Sequence, residues 1–153
     1  MTRKITIALT VLLTSISCLA QAETANKTRK EVPAATQEAF RSSPAYAEIL
    51  LLRTELSSTL ESLVLEYTEE YPKVREIRHT LTLLDRESDR LAKVKATDQS
   101  RLTLALGKLI VRKIELETDL WNLQKNYKDE HPDVKRAKRR VEIYEAAIGE
   151  ILN

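Results

Sequence analysis

The residues most able to do chemistry in this chain are its two histidines, His79 and His131. His131 lies among Asp129, Glu130 and Asp133, so nitrogen and carboxylate oxygen fall within five positions, a cation site on paper. A zinc site needs three or four converging ligands, usually with a spacing such as His-x-x-x-His on a helix. That spacing is absent. An internal repeat sets Tyr71 at the place of His131, which indicates a ring packed against the chain rather than a nitrogen on a metal. His79, between Ile77 and Leu81 on a polar flank, reads as a solvated side chain.

Acid–base catalysis would need carboxylates with displaced pKa values in a partly dry, concave site. Glu55, Glu61, Glu66, Glu115 and Glu117 instead sit off the apolar stripe among lysines and arginines, a solvated face. Neither a Ser/His/Asp set nor a Gly-x-Ser-x-Gly elbow is present. Two glycines in 153 residues leave little material for an oxyanion loop or a nucleotide cradle. The expectation is a protein that is not an enzyme, with no catalytic residue, no metal and no cofactor.

One charge cluster stands out. Lys135, Arg136, Lys138, Arg139 and Arg140 place five cations within six residues, enough to engage phosphates or an acidic glycan or lipid. The plainer reading is that Val134, Ala137 and Val141 take the core face and leave the remaining positions to water, with Glu142 and Glu145 offsetting the charge. Trp121, beside Leu120 rather than on the apolar seam, is the aromatic best placed to meet a partner.

These side chains must be positioned by helices. Leu, Glu, Lys, Arg and Ala dominate, and 31% of the chain is charged, a composition of long helices. The start is different. Arg3 and Lys4 precede an uncharged apolar run from Ile5 to Ala20, and Ala20-Gln21-Ala22 fits a small-x-small cleavage site. Residues 1–22 therefore read as an export signal cut after Ala22, with a periplasmic or secreted destination. Sixteen apolar residues fall short of the ~20 that span a bilayer. An uncleaved anchor and a lipoprotein attached through Cys18 are the alternatives. Cleavage removes the one cysteine, and it leaves no transmembrane anchor. It also takes two of 25 basic residues, leaving 23 against 23 acidic ones. Exported and charge-balanced, the chain is not expected to bind nucleic acid.

Residues 23–42, polar and containing Pro33, read as a flexible leader with a short helical turn near Thr36 to Arg41. Ser43-Pro44 is a helix start. From there Ile49, Leu52, Leu56, Leu60, Leu63 and Tyr67 keep to one helical face. Pro72 interrupts, and Val74, Ile77, Leu81, Leu84, Leu91 and Val94 resume, with Ser88 breaking the steps. After a polar stretch in which Thr97 or Asp98 would cap a new helix come Leu102, Leu106, Leu109, Leu116, Leu120, Leu123 and Tyr127, with Lys113 at the one polar step. Pro132 precedes Val134, Ala137, Val141, Tyr144, Ile148 and Ile151. These are heptads.

The second half repeats the first at an offset of 60 residues: Leu56 falls on Leu116, Leu63 on Leu123, Tyr67 on Tyr127 and Pro72 on Pro132. A fixed offset means one supersecondary unit used twice. Proline lacks an amide and pushes Tyr71 or His131 out of the α region, so a helix should end near Glu70 or Glu130. A reversal there makes the fold all-α, two tandem antiparallel helical hairpins over 43–96 and 97–153, four long helices in coiled-coil-like packing. A kinked continuous helix is the competing reading.

The string Leu123-x-x-x-Tyr127-x-x-x-His131-Pro132-x-Val134, followed by heptads, resembles the periplasmic helical segment of polysaccharide chain-length determinant and exopolysaccharide co-polymerase proteins. In that group the string lies at a break in a long helical hairpin. The first copy, Leu63, Tyr67, Tyr71, Pro72 and Val74, has Tyr in place of His. The resemblance covers about 30 residues per copy and implies a setting in a cell-envelope polysaccharide system.

The functional expectation is an exported helical structural or interaction protein that contacts envelope proteins or itself through its helix faces. A holdase-type chaperone, or a module binding anionic glycan or lipid through residues 135–140, is the alternative.

Overall fold

The computed structural model describes residues 34–153. The segment read from the sequence as an export signal, with Cys18, and the segment read as a leader up to residue 33 lie outside the described residues. Among those described the chain is all-helical, with no strand. Its elements are α1 (Ala34–Arg41), α2 (Pro44–Glu66), α3 (Pro72–Leu91), a 3₁₀ segment (Ala96–Arg101), α4 (Leu104–Gln124) and α5 (Pro132–Leu152).

The 60-residue offset governs where these elements begin. Pro44 and Leu104 open α2 and α4, and Pro72 and Pro132 open α3 and α5. Ser43 caps α2 by accepting from the Tyr46 amide, and Thr103 caps α4 by accepting from the Leu106 amide. Each hydroxyl satisfies one of the orphan amides of a first helical turn. Thr97 and Asp98 do not start the second copy's long helix. They lie in the 3₁₀ segment, which delays the helix until Leu102 has been buried and its carbonyl has accepted from the Ala45 amide. Residues 94–101 are the repeat equivalents of α1, and the two segments touch. The span read as leader is thus helical from Ala34 to Arg41, because Phe40 is buried there with its ring edge-on to Tyr46.

At the breaks the helices end four to six residues earlier than proline sterics alone suggest, at Glu66 and Gln124. A tight turn accounts for the difference: the Tyr71 amide donates to the Thr68 carbonyl, and the His131 amide to the Lys128 carbonyl. The chain turns back across each turn. Arg53 of α2 pairs with Asp85 of α3, and Lys113 of α4 pairs with Glu145 of α5. Each partner stands well before or well after its break, which a kinked continuous helix would not permit.

The core gathers around α4, which packs against α2, α3 and α5. A helix with three neighbours needs apolar residues on more than one face. Ile110 and Ile114, off the heptad stripe read from the sequence, are accordingly fully buried with Leu106 and Leu116. α2 packs against α3 and α4 with only a slight contact to the short α1, and only Ala45 and Ile49 of its residues are buried. Gly107 lets α2 and α4 approach: a Cβ there would lie 2.9 Å from the Ala45 Cα and 3.0 Å from the Glu48 Cβ. Among the described residues, no helix is long and apolar enough to cross a membrane.

Candidate functional site

The break motifs are built alike in both copies. Tyr67 and Tyr71 stack with ring centroids 4.1 Å apart, and Tyr127 and His131 stack at 4.2 Å. Pro72 and Pro132 sit at the first helical position, and Val74 and Val134, two residues on, are fully buried. An ion pair closes each turn, Arg78 to Glu69 at 2.5 Å and Lys138 to Asp129 at 2.9 Å. The His131 ring is occupied twice, by its stack and by Nδ1, which accepts from the Asp133 amide at 3.2 Å as the cap of α5. Tyr71 makes no such cap bond. Among the described residues no group of three or more His, Cys, Asp or Glu is arranged to hold a metal ion.

The basic cluster occupies the start of α5. Arg136 pairs with Asp133, Lys138 with Asp129 and Arg139 with Glu142. The Lys138 ammonium holds the Asp129 carboxyl below its ordinary range, and the Arg136 guanidinium does the same to Asp133. Lys135, Arg139 and Arg140 are exposed. Arg136 and Arg140 rim a groove of about 640 Å³ between α4 and α5, with Leu116, Leu123 and Ala137 also lining it.

Two aromatic positions stand elsewhere than expected. His79 is half-buried and stacks on Trp121, centroids 4.3 Å apart, and Lys125 lies over the Trp121 ring at 3.3 Å. The indole therefore joins α4 to α3 within the chain.

The most concentrated chemistry is a network that the sequence reading passed over. Lys113 of α4 and Glu87 of α3 are both 2% exposed, with Nζ 2.6 Å from the Glu87 Oε1. Lys113 also reaches Glu145 of α5 at 2.6 Å, and Arg90 reaches the other Glu145 oxygen at 2.6 Å. Arg86 links Glu87 to Glu117. The Glu87 Oε2 has Arg90 3.6 Å away and no hydrogen bond, the one orphaned buried side-chain oxygen among the described residues. Burial works to raise the Glu145 carboxyl, but hydrogen bonds from Lys113 and Arg90 outweigh it and hold the group below its ordinary value. The signal for this network was Lys113 itself, an interruption in an otherwise apolar heptad run. The apolar steps of α3 point to Ser88 as the interruption, whereas Glu87 takes the inward position between Leu84 and Leu91.

The arrangement is an ion-paired fastening of three helices. The Lys113–Glu145 pair is the repeat equivalent of Arg53–Asp85, each residue 60 positions on. The Thr80 and Thr118 hydroxyls, 3.0 Å apart and buried, and the Asn122 to Glu76 bond at 2.8 Å join α3 to α4 further along. Comparisons of the chain with family models, with curated proteins and with solved structures find no match.

Proposed function

We propose that this chain is an exported structural and interaction protein of the cell envelope, two tandem antiparallel hairpins acting through helix–helix contacts rather than by catalysis. The observation that carries the reading is the reuse of one packing unit together with its fastenings. Caps Ser43 and Thr103, ring stacks Tyr67–Tyr71 and Tyr127–His131, turn clamps Arg78–Glu69 and Lys138–Asp129, and cross-helix pairs Arg53–Asp85 and Lys113–Glu145 all recur. A repeated unit of this kind builds an extended surface, and its outer faces are where partners bind.

Pairing of the side chains able to do chemistry supports the non-enzymatic reading. His131 is a cap, His79 a stacking partner, and the buried carboxylate meets a buried ammonium. The ion pairs of Arg136, Lys138 and Arg139 likewise favour treating the basic cluster as part of the scaffold. The polysaccharide setting rests on the break string from Leu123 to Val134.

The test is photo-crosslinking in the producing cell, with reactive residues at exposed Leu51, Leu65 and Ile143 and a control at exposed Thr82. The expected result is a shortened chain in the envelope fraction, with discrete crosslinked species from the first three positions. A chain retained in the cytoplasm, or a turnover abolished by His131→Gln, overturns it. Deleting the gene should alter the length distribution of surface polysaccharide, and an unchanged distribution removes that setting.

A further inference from the structure

Resting on the helix-contact reading above, we infer that the chain associates head to tail with a second copy of itself, α2 of one copy lying in the groove between α4 and α5 of the next. The template is the junction between the two repeats inside one chain. There α4 lies against α2 and α3, joined by Thr80–Thr118, Glu76–Asn122 and the His79–Trp121 stack. Moving every residue of this junction by one repeat yields two surfaces without a partner among the described residues. One is the outer face of α2, and the other is the α4/α5 groove.

Burial marks both surfaces as interrupted interfaces. Leu50 is 43% exposed where its equivalent Ile110 is fully buried, and Leu51 and Leu65 on the same face are 57% and 86% exposed. On the other surface Ile143 is 53% exposed where its equivalent Leu83 is 7% exposed. Large apolar side chains on one face of α2, with Leu50 and Ile143 at positions whose repeat partners lie within the core, are the mark of a contact surface rather than scattered exposure.

Charge decides which occupant fits. Residues 54–72 carry five glutamates without a lysine or arginine, of which Glu69 and Glu70 pair within the chain with Arg78 and Arg75. Residues 134–141 carry five cations without an acid. Of these, Arg136, Lys138 and Arg139 already have an exposed acidic partner, and Lys135 and Arg140 have none among the described residues. The paired residues of α3 and α4 run in opposite directions, so an equivalent junction sets the acidic end of α2 along the basic start of α5. Residue by residue, the His79–Trp121 stack becomes Arg139 against Glu61. Glu76–Asn122 becomes Arg136 against Ser62, and Thr80–Thr118 becomes Arg140 against Ser58. The groove where the incoming helix would sit is rimmed by Arg136 and Arg140 and also lined by Asp119 and by Asp133, the latter paired with Arg136. Such matching of potentials selects a partner and fixes its register.

One position opposes the match. Ala47 stands where Gly107 admits the close approach of α2 to α4, and a Cβ there meets backbone at 2.9 Å. The junction between copies is therefore looser than the one within a chain. Because the two surfaces differ, the contact is heterologous, and it extends into chains rather than closing as a two-fold dimer.

Sedimentation of the purified chain, as the cell processes it, provides the test. The wild type should form dimers, trimers and longer species as concentration rises. Ser58→Arg blocks the α2 face and Ile143→Arg the α5 face, and both sites are exposed, so the fold should survive as read by helical circular dichroism. Each variant alone should dissociate at least about tenfold more readily. An equimolar mixture should give a one-to-one dimer that grows no further, since one competent junction remains. Ala47→Gly should tighten association. A wild type that stays monomeric, or a closed dimer indifferent to either arginine, overturns the inference. Crosslinks to other envelope proteins would then still stand for the broader reading, whereas loss of all crosslinks would remove both.

Discussion

Lys113 on α4 and Glu87 on α3 meet at 2.6 Å with both side chains 3% exposed, so a full charge pair sits in the interior where heptad packing would put two leucines. Breaking a buried pair costs about 3–5 kcal/mol, and with Arg86 at 3.5 Å and Arg90 at 3.6 Å still beside Glu87 the loss on removing Lys113 falls at the low end, about 3 kcal/mol. Lys113→Met should therefore lower stability by about that amount in urea unfolding. Combining it with Glu87→Leu should restore most of the loss, since paired apolar residues of similar volume replace buried ion pairs at little cost. A double variant no more stable than Lys113→Met would mean that the pair holds the helices by some means other than balanced charge.

Gly107 gives an opposite sign from helix propensity. Alanine in a helix interior is favoured over glycine by about 1 kcal/mol. Here the added Cβ meets the Ala45 Cα at 2.9 Å and the Ala45 carbonyl oxygen at 3.0 Å, and backbone cannot swing aside as a side chain can. Overpacking of this kind costs about 1–3 kcal/mol, so Gly107→Ala should destabilise, with a Tm lower by several degrees in thermal unfolding. A raised Tm would show that α2 moves off α4 freely.

Much of this fold was legible as pattern. The offset of 60 residues, the prolines opening α3 and α5, and Ser43 opening α2 follow from local sterics and hydrogen bonding, which act over a few residues. What escaped was non-local. Ile110 and Ile114 are buried because α4 has three neighbours, and a single heptad stripe describes a helix with fewer. Trp121 meets His79 only once α3 and α4 lie side by side. Glu87 is inward because Lys113 is, a dependence between residues 26 apart that no periodicity encodes. The break motif was legible as a set of residues. That His131 caps α5 through Nδ1 depends on the turn that presents it.

The two caps test whether the copies are energetically as well as geometrically alike. Ser43 accepts from the Tyr46 amide at 3.2 Å and Thr103 from the Leu106 amide at 3.3 Å. Loss of such a cap typically costs about 1 kcal/mol. Ser43→Ala and Thr103→Ala should each lower the unfolding free energy by about that amount, and because the Ala45 amide bonds the Leu102 carbonyl between the two caps, the double variant should depart from their sum. If Thr103→Ala alone is harmful, the α2 cap contributes nothing and the first copy is held by α1 instead.

His79 makes stability depend on pH in a definite direction. Burial first, and then the charges of Lys125 and Arg86, hold its imidazole below the ordinary value. Lys125 also lies over the Trp121 ring that His79 stacks on, so a protonated imidazole would face a cation across the indole. Well above the ordinary histidine value of about 6.5, both folded and unfolded chains hold a neutral ring and the group contributes nothing to pH dependence. As pH falls through that value the unfolded chain takes up the proton first, and stability falls until the lower folded value is passed. His79→Phe keeps a flat ring against Trp121 and removes the proton. Chemical denaturation in steps from about pH 7.5 to about pH 5.5 should show the wild type losing stability faster than His79→Phe across that window. Equal slopes would mean that His79 binds its proton as readily in the fold as out of it, and that the stack with Trp121 tolerates a charged ring.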